Sequence, residues 1–111
     1  MAATSEGYVF ICTKDDVPVR GKKRMQVSDV HVLLVACESG LYAIEDRCPQ
    51  SGRSIAHGQV INGVLTSPIT GAEYDLRTGQ YIGGGLSPLQ SERLRTYPLQ
   101  FDGDKVYILV T

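Results

Sequence analysis

Cys48 carries the side chain best able to do chemistry in this chain, because a thiolate is both a nucleophile and a soft metal ligand. Arg47 and Arg53 flank it in sequence, and His57 and His31 are the two imidazoles. A nucleophilic cysteine needs a base and a group to orient that base, and no acid is placed to orient a Cys and His pair. A stable metal site needs three or four ligands in close pairs, whereas Cys12, Cys37 and Cys48 are widely spaced. Cys48 therefore reads as a small packed residue rather than a reactive thiol. Cys12 and Cys37 sit in apolar runs and read as buried thiols. Gly52, Gly58, Gly63, Gly71 and Gly79 are scattered among turns instead of gathered before a helix, so they do not form a phosphate cradle.

The elements that must position Cys48 are strands. Residues 8–12, 25–28, 31–37 and 41–44 are short β-prone runs separated by turn residues, which predicts a meander. Asn62-Gly63 between Val60-Ile61 and Val64-Leu65-Thr66 is a hairpin signal, since both turn positions accept positive φ. Residues 73–76 and Tyr81-Ile82 flank the Arg77-Thr78-Gly79 turn. A last hairpin pairs residues 97–101 with 105–110 across Asp102-Gly103-Asp104, Pro98 being tolerable near a strand start or at an edge. Gly83 to Pro88 reads as a plain connector, and the basic run Arg20-Gly21-Lys22-Lys23-Arg24 as a solvated hairpin turn. Many short strands with frequent turns predict an all-β sandwich or small barrel.

A chain of 111 residues forms one modest core. Eleven basic against twelve acidic residues give a net charge of −1, which offers nothing to nucleic acid or to an anionic membrane. No run approaches the roughly twenty apolar residues that cross a bilayer. The first residues lack the charged and apolar regions of a secretory signal. A cytoplasmic protein is expected.

Two segments repeat one layout: Cys48-Pro49-Gln50-Ser51-Gly52 and Ser67-Pro68-Ile69-Thr70-Gly71, the second followed by Glu73-Tyr74-Asp75-Leu76-Arg77-Thr78-Gly79. Together they resemble the two cluster-binding loops of the Rieske family, in which each loop supplies one cysteine and one histidine to an iron–sulfur cluster. The resemblance implies an all-β, Rieske-like antiparallel sandwich or small barrel with an inserted two-loop subdomain. It implies a single domain over 1–111, with base sheets at about 7–46 and 80–111 and the loop subdomain at about 47–79. It also assigns the ligand positions to Cys48, Gln50, Ser67 and Thr70, so that one ligand-type residue survives. Neither His31 nor His57 falls on such a position.

An amide and two hydroxyls are poor iron donors beside sulfide. No cofactor, metal or catalytic residue is therefore expected, and Gln50, Ser67 and Thr70 are expected to hydrogen-bond across the two loops and close them without metal. The resemblance then implies a non-redox accessory or interaction subunit, not catalytic alone, that partners a redox enzyme or an oxygenase or reductase subunit. The small subunit of NAD(P)H nitrite reductase, which also lacks the ligands, is the precedent. The alternative is a Rieske-type [2Fe-2S] ferredoxin carrying electrons to a ring-hydroxylating, dioxygenase-like oxygenase through atypical or shared ligation.

Overall fold

The structure, a computed structural model, describes residues 7–49, 52–85 and 93–110. Among these, eleven strands run β1 (Val9–Thr13), β2 (Lys22–Val27), β3 (Val30–Cys37), β4 (Gly40–Glu45), β5 (Gln59–Ile61), β6 (Val64–Thr66), β7 (Glu73–Asp75), β8 (Tyr81–Gly83), β9 (Thr96–Tyr97), β10 (Leu99–Asp102) and β11 (Lys105–Ile108). They form three antiparallel sheets, ordered β1-β11-β10, β2-β3-β4-β9 and β5-β6-β7-β8. A single 3-10 turn, Lys14–Asp16, interrupts them among the described residues. The all-β expectation holds.

The continuous apolar run Val32-Leu33-Leu34-Val35 explains the layering. Successive strand side chains point to opposite faces, so an unbroken run fits a strand buried on both sides. Leu33 and Val35 enter one core with Ile44, Cys48, Leu65 and Tyr74. Val32 and Leu34 enter the other with Cys12, Ala43, Val106 and Ile108. The middle sheet thus separates two cores, one under the terminal strands and one under the loops. Each fully buried Leu, Val or Ile contributes about 1.5–3 kcal/mol of transfer free energy.

Two local features depart from the sequence reading. The basic run is not a turn: Lys22, Lys23 and Arg24 pair as strand β2 with Val35, Leu34 and Leu33, and only Arg20, at φ 56°, turns the chain. The strand expected over 97–101 divides at Pro98. On one side Tyr97 pairs with Ala43 in the middle sheet; on the other Leu99 pairs with Ile108 in the terminal sheet. Proline has no N–H for a ladder, which suits it to the residue where the chain changes sheets. The Asn62-Gly63 hairpin forms as read, with φ values of 53° and 76° and Ile61 opposite Val64.

Candidate functional site

Strands β4 and β5 bracket the first loop, and β6 and β7 bracket the second. Their backbones close identically. In the first, Gly52 N–H donates to Cys48 C=O at 2.7 Å and Cys48 N–H to Arg53 C=O at 2.7 Å. In the second, Gly71 N–H donates to Ser67 C=O at 3.0 Å and Ser67 N–H to Ala72 C=O at 2.8 Å. Gly52 and Gly71 have φ of 76° and 80°, the left-handed region where a Cβ is penalised. Cys48 and Ser67 thus occupy equivalent places in two matched turns.

The turns meet side chain to side chain. Ser67 Oγ donates to Cys48 Sγ at 3.2 Å, and Thr70 Oγ1 lies 3.8 Å from the same sulfur. Cys48 is fully buried and Ser67 is 2% exposed. Ser67 Oγ also accepts from the backbone N–H of Ile69 and Thr70, at 3.3 Å each, and Thr70 Oγ1 accepts from Ala72 N–H at 3.2 Å. Three of the four positions singled out in the sequence are described, and they converge. The hydroxyls meet at the thiol rather than at each other. Gln50 lies outside the described residues.

Asp46 was not visible as part of this site from sequence. Its carboxylate, 1% exposed, accepts from Arg24 Nε at 2.7 Å, Ser54 Oγ at 2.8 Å and Ile55 N–H at 2.9 Å. It staples the two ends of the first loop together and ties them to β2. Two residues before Arg24 on β2, Lys22 Nζ donates to Ala56 C=O at 2.8 Å and Gly58 C=O at 2.5 Å. Partial burial pushes its pKa below 10.5. Gly84 abuts the second loop: a Cβ there would come within 2.6 Å of Gly71 O. Leu86, Ser87 and Pro88 fall outside the described residues.

His31 and His57 are exposed and do not join the thiol. The backbone C=O of His31 accepts from Asp46 N–H at 2.8 Å. Among the described residues, no three or more His, Cys, Asp or Glu side chains are grouped to hold a metal ion. Cys37 is half-buried beside Ser39, and burial pushes the Cys12 thiol pKa up. No helix among the described residues is long and apolar enough to cross a membrane.

A β-sheet base presenting two matched Cys/Ser-Pro-x-x-Gly turns face to face is the architecture of a cluster-loop domain. The chain belongs to the Rieske-like [2Fe-2S] domain family, whose model matches residues 7–109. Over 101 residues it is 28% identical to the 3-phenylpropionate/cinnamic acid dioxygenase ferredoxin subunit of Escherichia coli K12, covering 90% of this chain and 91% of that one. Its fold superposes on the ferredoxin of carbazole 1,9a-dioxygenase from Nocardioides aromaticivorans with TM-score 0.81, at 19% identity, covering 96% of this chain and 100% of that one. A structure assigned as the small subunit of an NADPH nitrite reductase gives TM-score 0.75 at 24% identity, covering 93% and 98%.

Proposed function

We propose that this protein is a cluster-free, cytoplasmic accessory subunit of an oxidoreductase system, with loops 47–79 serving as an inserted structural subdomain of one domain, 1–111. The observation that carries this reading is the thiol-centred contact of Ser67 and Thr70 with Cys48. A Rieske cluster takes two thiolates and two imidazoles. The positions that match those ligands carry one thiol, one amide and two hydroxyls. Ser67 Oγ already serves two backbone amides and the sulfur. These donors do not fit a [2Fe-2S] cluster, and the loops close through hydrogen bonds instead. Like the ferredoxin relatives, the chain is not a catalyst by itself. Its partner is a redox enzyme, either an oxygenase or a reductase subunit.

The relatives favour a second reading. They are dioxygenase ferredoxin subunits, so electron transfer to an oxygenase follows if a cluster is held with incomplete or shared ligation through Cys48.

Iron and acid-labile sulfide analysis, with a visible spectrum, of protein purified without oxygen and again after reconstitution separates the two readings. A folded, colourless, iron-free product is expected. About two irons per chain or per dimer with charge-transfer absorption would establish the carrier instead. The frame itself is tested by Gln50→His, Ser67→Cys and Thr70→His combined, which is expected to take up a two-iron cluster on reconstitution. A folded triple variant that stays colourless would show that the loops no longer hold ligand geometry.

A further inference from the structure

Beside the first loop, Glu45, Arg47, Pro49, Arg93 and Arg95 line a cleft of about 100 Å³. Three of its five lining residues are arginines and one is a glutamate, in a chain whose net charge is −1. Ion pairs among the described residues are Arg20–Glu38, Arg24–Asp46 and Arg77–Asp75. Arg47, Arg93 and Arg95 enter none of them and are exposed.

The surrounding fold brings these groups together. Arg95 C=O accepts from Glu45 N–H at 2.8 Å, tying the segment before β9 to the end of β4. The Arg95 guanidinium stacks over the Tyr97 ring at 5.6 Å, which limits its freedom. The Arg47 guanidinium lies along the Gly52 turn, where a Cβ would sit 3.7 Å from its terminal nitrogen. Pro49 adds apolar surface on the same loop.

Arginine forks pair with carboxylates in bidentate fashion and keep little hydration to lose, which makes them frequent interface residues beside apolar centres. We propose that this face docks on an acidic protein surface, with Arg47, Arg93 and Arg95 receiving its Asp and Glu side chains while Pro49 makes the apolar contact. Nucleic acid is disfavoured, since a phosphate track needs a longer basic stripe and a positive chain. That the acidic surface belongs to an oxidoreductase rests on the accessory-subunit reading; the charge chemistry does not.

The test is titration of the isotopically labelled full chain with a hexaglutamate peptide, followed by backbone amide shifts. The expected result is shifts concentrated at residues 45–53 and 93–95, with affinity about tenfold weaker in Arg47→Glu/Arg95→Glu and unchanged in Lys105→Glu. Arg47→Gln/Arg95→Gln, gentler on the fold, should weaken binding about threefold. Shifts elsewhere, indifference to both double variants, or the same shifts produced by inorganic phosphate would overturn the proposal, the last pointing to a small-anion site. Native pull-down separates the two readings. Peptide binding at the cleft with no oxidoreductase recovered would sink the accessory role and leave the docking face. The converse pattern would do the reverse.

Discussion

Residues 48–53 and 67–72 close with the same pair of backbone hydrogen bonds and carry a positive-φ glycine at the same step. What holds each turn differs. Among the described residues, the first is held around its turn, by Asp46, just past β4, bonding Ile55 and by Lys22 of β2 bonding Ala56 and Gly58. The second is held from inside, by Ser67 and Thr70 hydroxyls bonding its own amides. A loop gripped by its neighbours keeps its shape whatever its tip carries. A loop gripped by its own ligand-position residues depends on their chemistry. Substitution at Ser67 and Thr70 therefore reaches the backbone of the second loop directly, whereas Cys48 stands on a scaffold that Asp46 maintains.

The sharpest way to break this comparison is Asp46→Ala. It removes the acceptor shared by Arg24, Ser54 and Ile55 N–H and strands a buried amide. Arg24 is 60% exposed and rehydrates, so the expected loss is about 2–4 kcal/mol, below the full cost of breaking a wholly buried pair. Urea unfolding measures it. A loss under about 1 kcal/mol would mean that the first loop supports itself as the second does.

Ser67→Ala comes next. It leaves the Ile69 and Thr70 amides without their side-chain acceptor and removes the donor to Cys48, for an expected loss of about 1–2 kcal/mol. In a double-mutant cycle with Cys48→Ala, a coupling of about 0.5–1 kcal/mol is expected from the hydroxyl–thiol contact. Zero coupling would show that the two loops pack together without this bond.

Gly52→Ala and Gly71→Ala sharpen the likeness rather than the difference. Among the described residues, a Cβ at Gly52 meets nothing closer than the Arg47 guanidinium at 3.7 Å, and one at Gly71 only Gly85 N at 4.0 Å. Both substitutions are charged for backbone conformation alone, about 1 kcal/mol each. Denaturation midpoints should place the two variants within about 0.5 kcal/mol of each other; a wider gap would mean that the turns are not equivalent.

The likeness was legible in sequence, because it depends on local signals: a proline after the first residue and a glycine at the fifth, twice. The Asn62-Gly63 turn was legible for the same reason. The difference was not. Asp46 is one acid among twelve, and its role comes from three donors converging from residues 24, 54 and 55. Lys22 and Arg24 looked like part of a solvated turn because nothing local reveals that β3 will pair with them in a register aimed at the first loop. Pro98 marked a break without saying that the chain leaves one sheet for another. Pairing across long separations decides these features, and a pattern read along the chain does not carry it.

Lys22 gives the smallest effect and the one most specific to loop support from outside. Desolvation lowers its pKa below the ordinary 10.5, so the folded chain holds this proton less tightly than the unfolded chain does. Between the lowered value and 10.5 the unfolded state binds more protons, and stability rises with pH across that window. Below the window the burial penalty is constant; above it the penalty is gone. Because Lys22 is only partly desolvated, the rise is small. Lys22→Met keeps the stem and removes the proton, so the wild type should gain stability relative to the variant as pH climbs toward 10.5, read as the difference between their urea midpoints. The second loop, Ser67-Pro68-Ile69-Thr70-Gly71-Ala72, contains no titratable side chain, and Gly71→Ala against wild type should give a flat difference over the same range. A flat difference for Lys22→Met as well would mean that its ammonium stays hydrated and does not bear on the first loop.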